Sequence, residues 1–251
     1  MTVRAFLSKI DAKIKALNID DWISSKFLYN EVKSITSDFL KKDNSNSRLV
    51  YKNNASFTEI EGLPMVRVSV TECDLGDVFN CNYLMRSKEP LPAIYTSKFG
   101  PIINQVASIN FGTIYQDAFT PRQWKAIQKR EFINKDIKYF FFIGNQLYIP
   151  IMKGSEVSPE EIRISAMFKD RWEVDQYKQL VGVCEECNKN DYCKKLLDYE
   201  IVIPDYLEND IEGKLVMDLA NVYLKVIPDE YPNLSGDKNN QRDLQDRKLQ
   251  S

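Results

Sequence analysis

The chain has 251 residues, a net charge of −2, 43% hydrophobic and 28% charged side chains, five cysteines and no histidine. That size and balance suit a globular protein of one large or two small domains with a real core. They give no overall electrostatic pull towards nucleic acid or an anionic membrane. The missing histidine removes the commonest general acid–base residue, the Ser–His and Cys–His nucleophile pairs and the commonest zinc ligand. Catalysis by carboxylates, lysine or metal–carboxylate clusters remains open to the chain.

The opening stretch, MTVRAFLSKIDAKIKAL, carries Phe6, Ile10, Ile14 and Leu17 at helical spacing with charges between them. It lacks the continuous apolar region and small-residue cleavage site of a signal peptide, so synthesis in the cytoplasm with reduced thiols is the expectation. No apolar run approaches the about 20 residues of a membrane span. A second helix is expected from Trp22 to Leu40, where Leu28, Val32, Ile35 and Phe39 share a face flanked by Trp22, Ile23, Phe27 and Leu40. The two stripes predict a helical pair turned towards one core. Polar residues over 41–56, KKDNSNSRLVYKNNAS, end the pattern and read as a mobile loop without a domain boundary.

From Phe57 to Met167 the period becomes two. Met65 to Val70 alternates once past Pro64, and Ala93–Thr96, Ala107–Phe111 and Ile162–Phe168 read as further strands. The clearest element is YFFFIGNQLYIPI, Tyr139 to Ile151: two β-prone runs flank Gly144-Asn145, a turn able to take positive φ, which predicts a hairpin. Its four consecutive aromatic or branched residues predict a first strand covered on both faces. Thr120-Pro121 opens a short helix, with Thr120 as N-cap, that carries Trp124, Arg122, Lys125, Lys129 and Arg130. Those basic residues read as a solvated face.

Glu200 to Val226 reads as a short apolar segment, a proline stop and one long helix, with Asp205 as N-cap and Glu208 as its capping-box partner. Leu207, Ile211, Leu215, Leu219, Val222, Tyr223 and Val226 form its main stripe. Val216, Met217, Ala220 and Leu224 make it apolar beyond that stripe, so a second covering surface is expected. These four are the candidate subunit-interface residues. The polar end of the chain, 233–251, reads as a tail that is disordered or ordered by a partner. The fold class expected is α+β: an N-terminal helical pair, a β-rich middle with a hairpin, and a long C-terminal helix.

Cys184-Glu-Glu-Cys187 with Cys193 is the sharpest chemical cluster. Two thiolates two residues apart converge on one ion, which is half a zinc knuckle. A fourth ligand would have to come from Cys73, Cys81, Glu185, Glu186 or Asp191. The same spacing serves redox pairs, and free thiols in a helical hairpin account for it without any chemistry. Glu72, Asp74 and Asp77 crowd a turn that lacks the alternation of a calcium loop. No phosphate loop or nucleophile elbow is present.

Several segments taken in order resemble the head-to-tail connector proteins of tailed bacteriophages, in particular collar or ring proteins of crAss-like phages. They are VKSITSDFLKKD, LPMVRVSVTEC, RSKEPLPAIYTSKFGPI, KYFFFIGNQLYIPI, ISAMFKD and YEIVIPDYLENDIEGKLVMDLANVYLKVIPDEYPN. The resemblance implies a single connector-like domain over 1–232 and a virion structural protein with no catalytic residues and no cofactor. It implies a homo-oligomeric ring, a dodecamer, in the portal-proximal neck, contacting the portal and other neck or tail proteins. Such a ring would dock the tail and pass DNA without reading its sequence. The alternative is a zinc-stabilised phage accessory module using Cys184, Cys187 and Cys193.

Overall fold

The computed structural model describes residues 1–17, 23–42, 56–69, 83–98, 100–117, 126, 137–151, 159–182 and 195–225, with residues 223–225 described by backbone alone. The cysteines, the basic cluster around Trp124 and the polar tail all lie outside these residues. So do Thr120-Pro121 and most of the loop expected at 41–56. The described residues form an α+β architecture: a seven-stranded closed barrel joined to a helical bundle.

Helix α1 spans Val3–Ala16 and is capped by the Thr2 hydroxyl, which accepts from the Ala5 amide at 3.3 Å. Helix α2 spans Ser25–Lys42. It starts later than Trp22 because Ser24 supplies the cap, its Oγ accepting from the Phe27 amide at 3.2 Å. It also runs through Lys41 and Lys42, two residues expected in the loop. The far end of that expected loop is anchored as well, since buried Ser56 donates to the Ile203 carbonyl at 3.0 Å.

Strand β1 covers Thr58–Val68 and begins well before Pro64, although glycine and proline both argue against a strand there. Gly62, at φ 69°, resolves the conflict. It sits in a bulge where the register against β9 shifts between Ile60 and Leu63. In a regular strand residues three apart face opposite ways; the inserted residue returns both Ile60 and Leu63 to the interior. Strands β2 (Tyr83–Ser87), β3 (Thr96–Ser97) and β4 (Gly100–Pro101) follow, the last two forming a separate small sheet. Only Thr96 of the strand expected at Ala93–Thr96 is in a ladder, with Ile94 making one bridge to Phe168.

Strand β5 is Ile103–Ser108 and β6 is Ile114–Asp117. The strand expected at Ala107–Phe111 therefore starts earlier and ends before Ile109, which enters a turn. The hairpin is present as β7 (Lys138–Ile143) and β8 (Gln146–Ile151), with Gly144 at φ 55° in the turn. Phe140 and Phe141 are both buried, so this strand is covered on each face at its centre. Phe141 stacks on Tyr148 with ring centroids 5.4 Å apart. Strand β9 (Glu161–Ala166) closes the barrel in the order β1-β2-β8-β7-β6-β5-β9. All its pairs are antiparallel except β6 with β7.

Helix α3 (Arg171–Leu180) leaves β9 through Asp170, whose carboxylate accepts from the Trp172 amide at 3.0 Å. Helix α4 spans Glu208–Lys225. It is entered through a 3-10 turn, Asp205–Leu207, whose cap position is Pro204 and lacks a side-chain cap bond. That entry replaces the expected start at Asp205.

Two apolar cores result. One fills the barrel around Ile60, Leu63, Val106, Leu147, Ile162 and Phe168. The other joins Phe6, Ile10, Leu28, Val32, Ile211 and Leu215 of α1, α2 and α4, and Tyr95, Ile102 and Met167 extend it to the barrel's near end.

Candidate interaction surfaces

The polarity of the helices follows from their ion pairs. Lys9 reaches Glu208 at 3.5 Å and Glu212 at 2.7 Å, and Lys13 reaches Glu212 at 2.6 Å, so α1 and α4 run in the same direction. Both start beside the barrel. Val3 donates to the Tyr199 carbonyl at 2.8 Å and Ile201 donates to that of Met1 at 3.0 Å, while Arg171 of α3 pairs with Glu200. Helix α2 runs the other way: Lys33, at its middle, pairs with Asp170 at 3.7 Å, and Ser37, Asp38 and Lys41 beyond it share a cleft with Ala93, Lys169 and Glu173. The bundle's outer end is thus made of the last turn of α1, the first turn of α2 and the last turns of α4.

The barrel has a matching direction. Next to the bundle, Tyr95 donates to the Met167 carbonyl, Met167 to that of Ile102 and Ile102 to that of Tyr95. From there β5 carries the chain about 20 Å away over six residues. The β5–β6 turn is therefore at the barrel's outer end, on the side opposite the bundle.

Both outer ends expose apolar side chains. At the bundle end Val222 is 60% exposed, and Leu17 and Phe27 are also exposed. Sequence periodicity places Leu17 and Val222 on core-facing stripes, but α1 ends at Ala16, level with the middle of α4, and does not extend alongside Val222. Of the four interface candidates, Val216 and Ala220 pack partly against this chain's own core, and Met217 is 64% exposed. The side chain of Leu224 lies outside the described residues.

At the barrel end, Ile114 is 59%, Phe111 47% and Ile109 41% exposed. Three hydrogen bonds to Ser108 hold their turn: Ser108 donates to the Thr113 carbonyl at 2.9 Å, its Oγ accepts from the Thr113 amide at 3.0 Å, and its carbonyl accepts from Phe111 at 2.9 Å. Phe111 has φ 52°, the one non-glycine residue with positive φ among those described. That conformation costs an L-residue about 1–2 kcal/mol. The Arg163 guanidinium lies 4.4 Å from its ring centroid and is paired with Glu61. Periodicity alone read this segment as strand, since apolar residues continue from the core onto the surface without a change in pattern.

Perturbed titrations trace to packing. Burial raises the Glu212 carboxyl's pKa, but hydrogen bonds from Lys13 and Lys9 outweigh it and hold the group below its ordinary range. The same contact with Glu212 raises Lys9. Arg4 lowers Asp198 through a hydrogen bond that ties α1 to the 3-10 turn Leu196–Asp198. Burial pushes the Tyr29, Tyr95 and Tyr177 phenols well above their usual value. A cleft of about 410 Å³ lies beside α2, with Lys33, Lys41 and Lys169 facing Asp38 and Glu173, and its opposed charges leave little net field. Among the described residues no group of three or more His, Cys, Asp or Glu could hold a metal, and no helix is long and apolar enough to cross a membrane. Cys184, Cys187 and Cys193, with every other ligand weighed for them, lie outside those residues.

A small barrel clamped to a helical bundle, with its polar groups spent on holding the two together and its apolar side chains exposed at both ends, is the build of a protein that assembles with other protein chains. The chain belongs to the phage tail ring protein 2 family, CrAss_Ring_2, which it matches over residues 6–238. It is a structural ring protein of crAss-like phages and a component of the virion. No curated protein matches it.

Proposed function

We propose that the protein forms a closed homo-oligomeric ring, a dodecamer, in the portal-proximal neck of the virion. There it presents a docking surface for the tail and leaves a central passage for DNA. The observation that carries the reading is the family match across nearly the whole chain. Membership in a tail ring family implies repeated contacts between copies and with other phage proteins, and gives no role to a catalytic residue. The exposed apolar ends support it, because a ring is built from two different patches on each copy. A net charge of −2 suits a passage that DNA crosses without being held, since phosphate binding scales with the cations offered. Of the candidates Val216, Met217 and Ala220, Met217 is the one exposed to meet another subunit, whereas Val216 and Ala220 have their neighbours within the chain.

Cryo-electron microscopy of virions, with the purified chain followed by light scattering alone and with the portal, tests the proposal. A ring of copies between portal and tail is the expected result. A protein that stays monomeric in both mixtures and is missing from particles refutes it.

A further inference from the structure

We infer that the β5–β6 turn is the anchor of the contact between neighbouring copies, with Phe111 seated on the outer end of the next copy's helical bundle. The inference rests on the ring reading and names the surfaces that would make it.

Three observations converge on the turn. It holds a bulky aromatic in a backbone conformation that glycine or asparagine would adopt without strain, and folding of the chain gains little from that choice because the ring is half exposed. The ring is nevertheless fixed, from below by the Arg163–Glu61 pair and along the turn by the hydrogen bonds around Ser108. Ile109 and Ile114 flank it, so the exposed apolar surface is continuous over a short, rigid feature. A strained, immobilised and exposed phenylalanine between two isoleucines has the properties of an interface anchor: large apolar area and little entropy left to lose.

The occupant is a second copy because of where the complementary surface lies and how large the turn is. The exposed apolar side chains Leu17, Phe27 and Val222 are at the opposite end of the molecule. The two ends cannot meet within one chain, and they can meet between successive copies. Three partly exposed side chains offer roughly 250 Å², against the about 800 Å² per partner of a stable pairwise complex. Such a contact is too small to hold an isolated dimer. It suffices where each subunit makes it twice and closure of the ring adds the gain of multivalency.

The test uses the full chain under the conditions in which the wild type forms rings, read by native mass spectrometry and micrographs. Phe111→Gly relieves the strained backbone and removes the ring, so the monomer should melt no lower than wild type while rings are lost and the 29.2 kDa species dominates. Val222→Asp, at an exposed helix position, should do the same. Mixed together, the two variants can make only one intact contact per pair and no closed ring, so the mixture should stay monomeric, and rings recovered on mixing would overturn the inference. Rings that persist in Phe111→Gly overturn the inference while leaving the ring reading intact. So does a variant that forms normal rings and fails only to join the portal or tail, which would assign the turn to a different protein. A wild-type chain that forms no ring under any condition, including on the portal, overturns both.

Discussion

Glu212 offers the sharpest test of how the bundle is held. Its side chain is 2% exposed, on the inward side of α4, with Lys13 at 2.6 Å and Lys9 at 2.7 Å. At an effective dielectric between 20 and 80, a contact of that length is worth about 1.5–6 kcal/mol of raw Coulomb attraction. Desolvation of the carboxylate cancels much of it. The two cations still prevail, since the group titrates below its ordinary value of 4.5. A lowered folded-state value means stability that is present above the unfolded pKa and is lost as pH falls through the folded one. In Lys9→Met/Lys13→Met the carboxylate is buried without a cation, and burial alone should lift its pKa above the ordinary value. Its contribution then reverses: full below the unfolded pKa and lost as pH rises. The expected cost to the buried Glu212 charge is about 3 kcal/mol at pH 7. Urea unfolding between pH 4 and 7, with Glu212→Gln as the variant lacking this titration, measures the difference in slope directly. If the double lysine variant keeps the wild-type slope relative to Glu212→Gln, the reasoning fails.

Three further outcomes are expected from the joint and the barrel. Asp170→Ala removes both the α3 cap at 3.0 Å and the partner of Lys33, and should lower unfolding free energy by about 1–2 kcal/mol in urea. Gly144→Val forces a β-branched residue to φ 55° in the β7–β8 turn and should cost about 1–2 kcal/mol, seen as a lower melting temperature. Phe168→Ala opens a void at a fully buried position beside the bridge to Ile94 and should cost about 3–5 kcal/mol by the same denaturation assay.

What was legible in the sequence depended on how local its cause was. The β7–β8 hairpin is written in Gly144-Asn145 and the aromatic run before it, and both act within a few residues. The stripes of α1 and α2 were readable for the same reason. The first part of strand β1, ahead of Met65, was hidden because Gly62 and Pro64 are breakers by any local rule, and only the pairing with β9, about a hundred residues away, gives the bulge its purpose. Closure of the barrel rests wholly on such distant pairings. The misreadings at Leu17, Ile109, Phe111 and Val222 share one cause. Each is apolar in the correct period, but α1 and β5 end before reaching Leu17, Ile109 and Phe111, and Val222 lies beyond the end of α1. Those are the residues that mark the two exposed ends, so the pattern's failures carried more about assembly than its successes did.

Two apolar ends make a ring only if the angle between them is fixed. A heterologous contact repeated through a flexible subunit gives open chains of varying curvature; a rigid subunit turns each copy by the same amount and lets the chain close. In this protein the angle is set where the bundle meets the barrel, and that joint is dense with specific contacts. Ser56 is bonded to Ile203, Asp170 serves α3 and Lys33 together, and Arg171 is paired with Glu200. Tyr95, Ile102 and Met167 place barrel-side residues inside the bundle's core. Buried hydrogen bonds and a shared core allow little sliding, because each displacement would leave a polar group unpaired or a cavity open. The polar residues of the joint act as the fixings of a rigid elbow between the two exposed apolar ends.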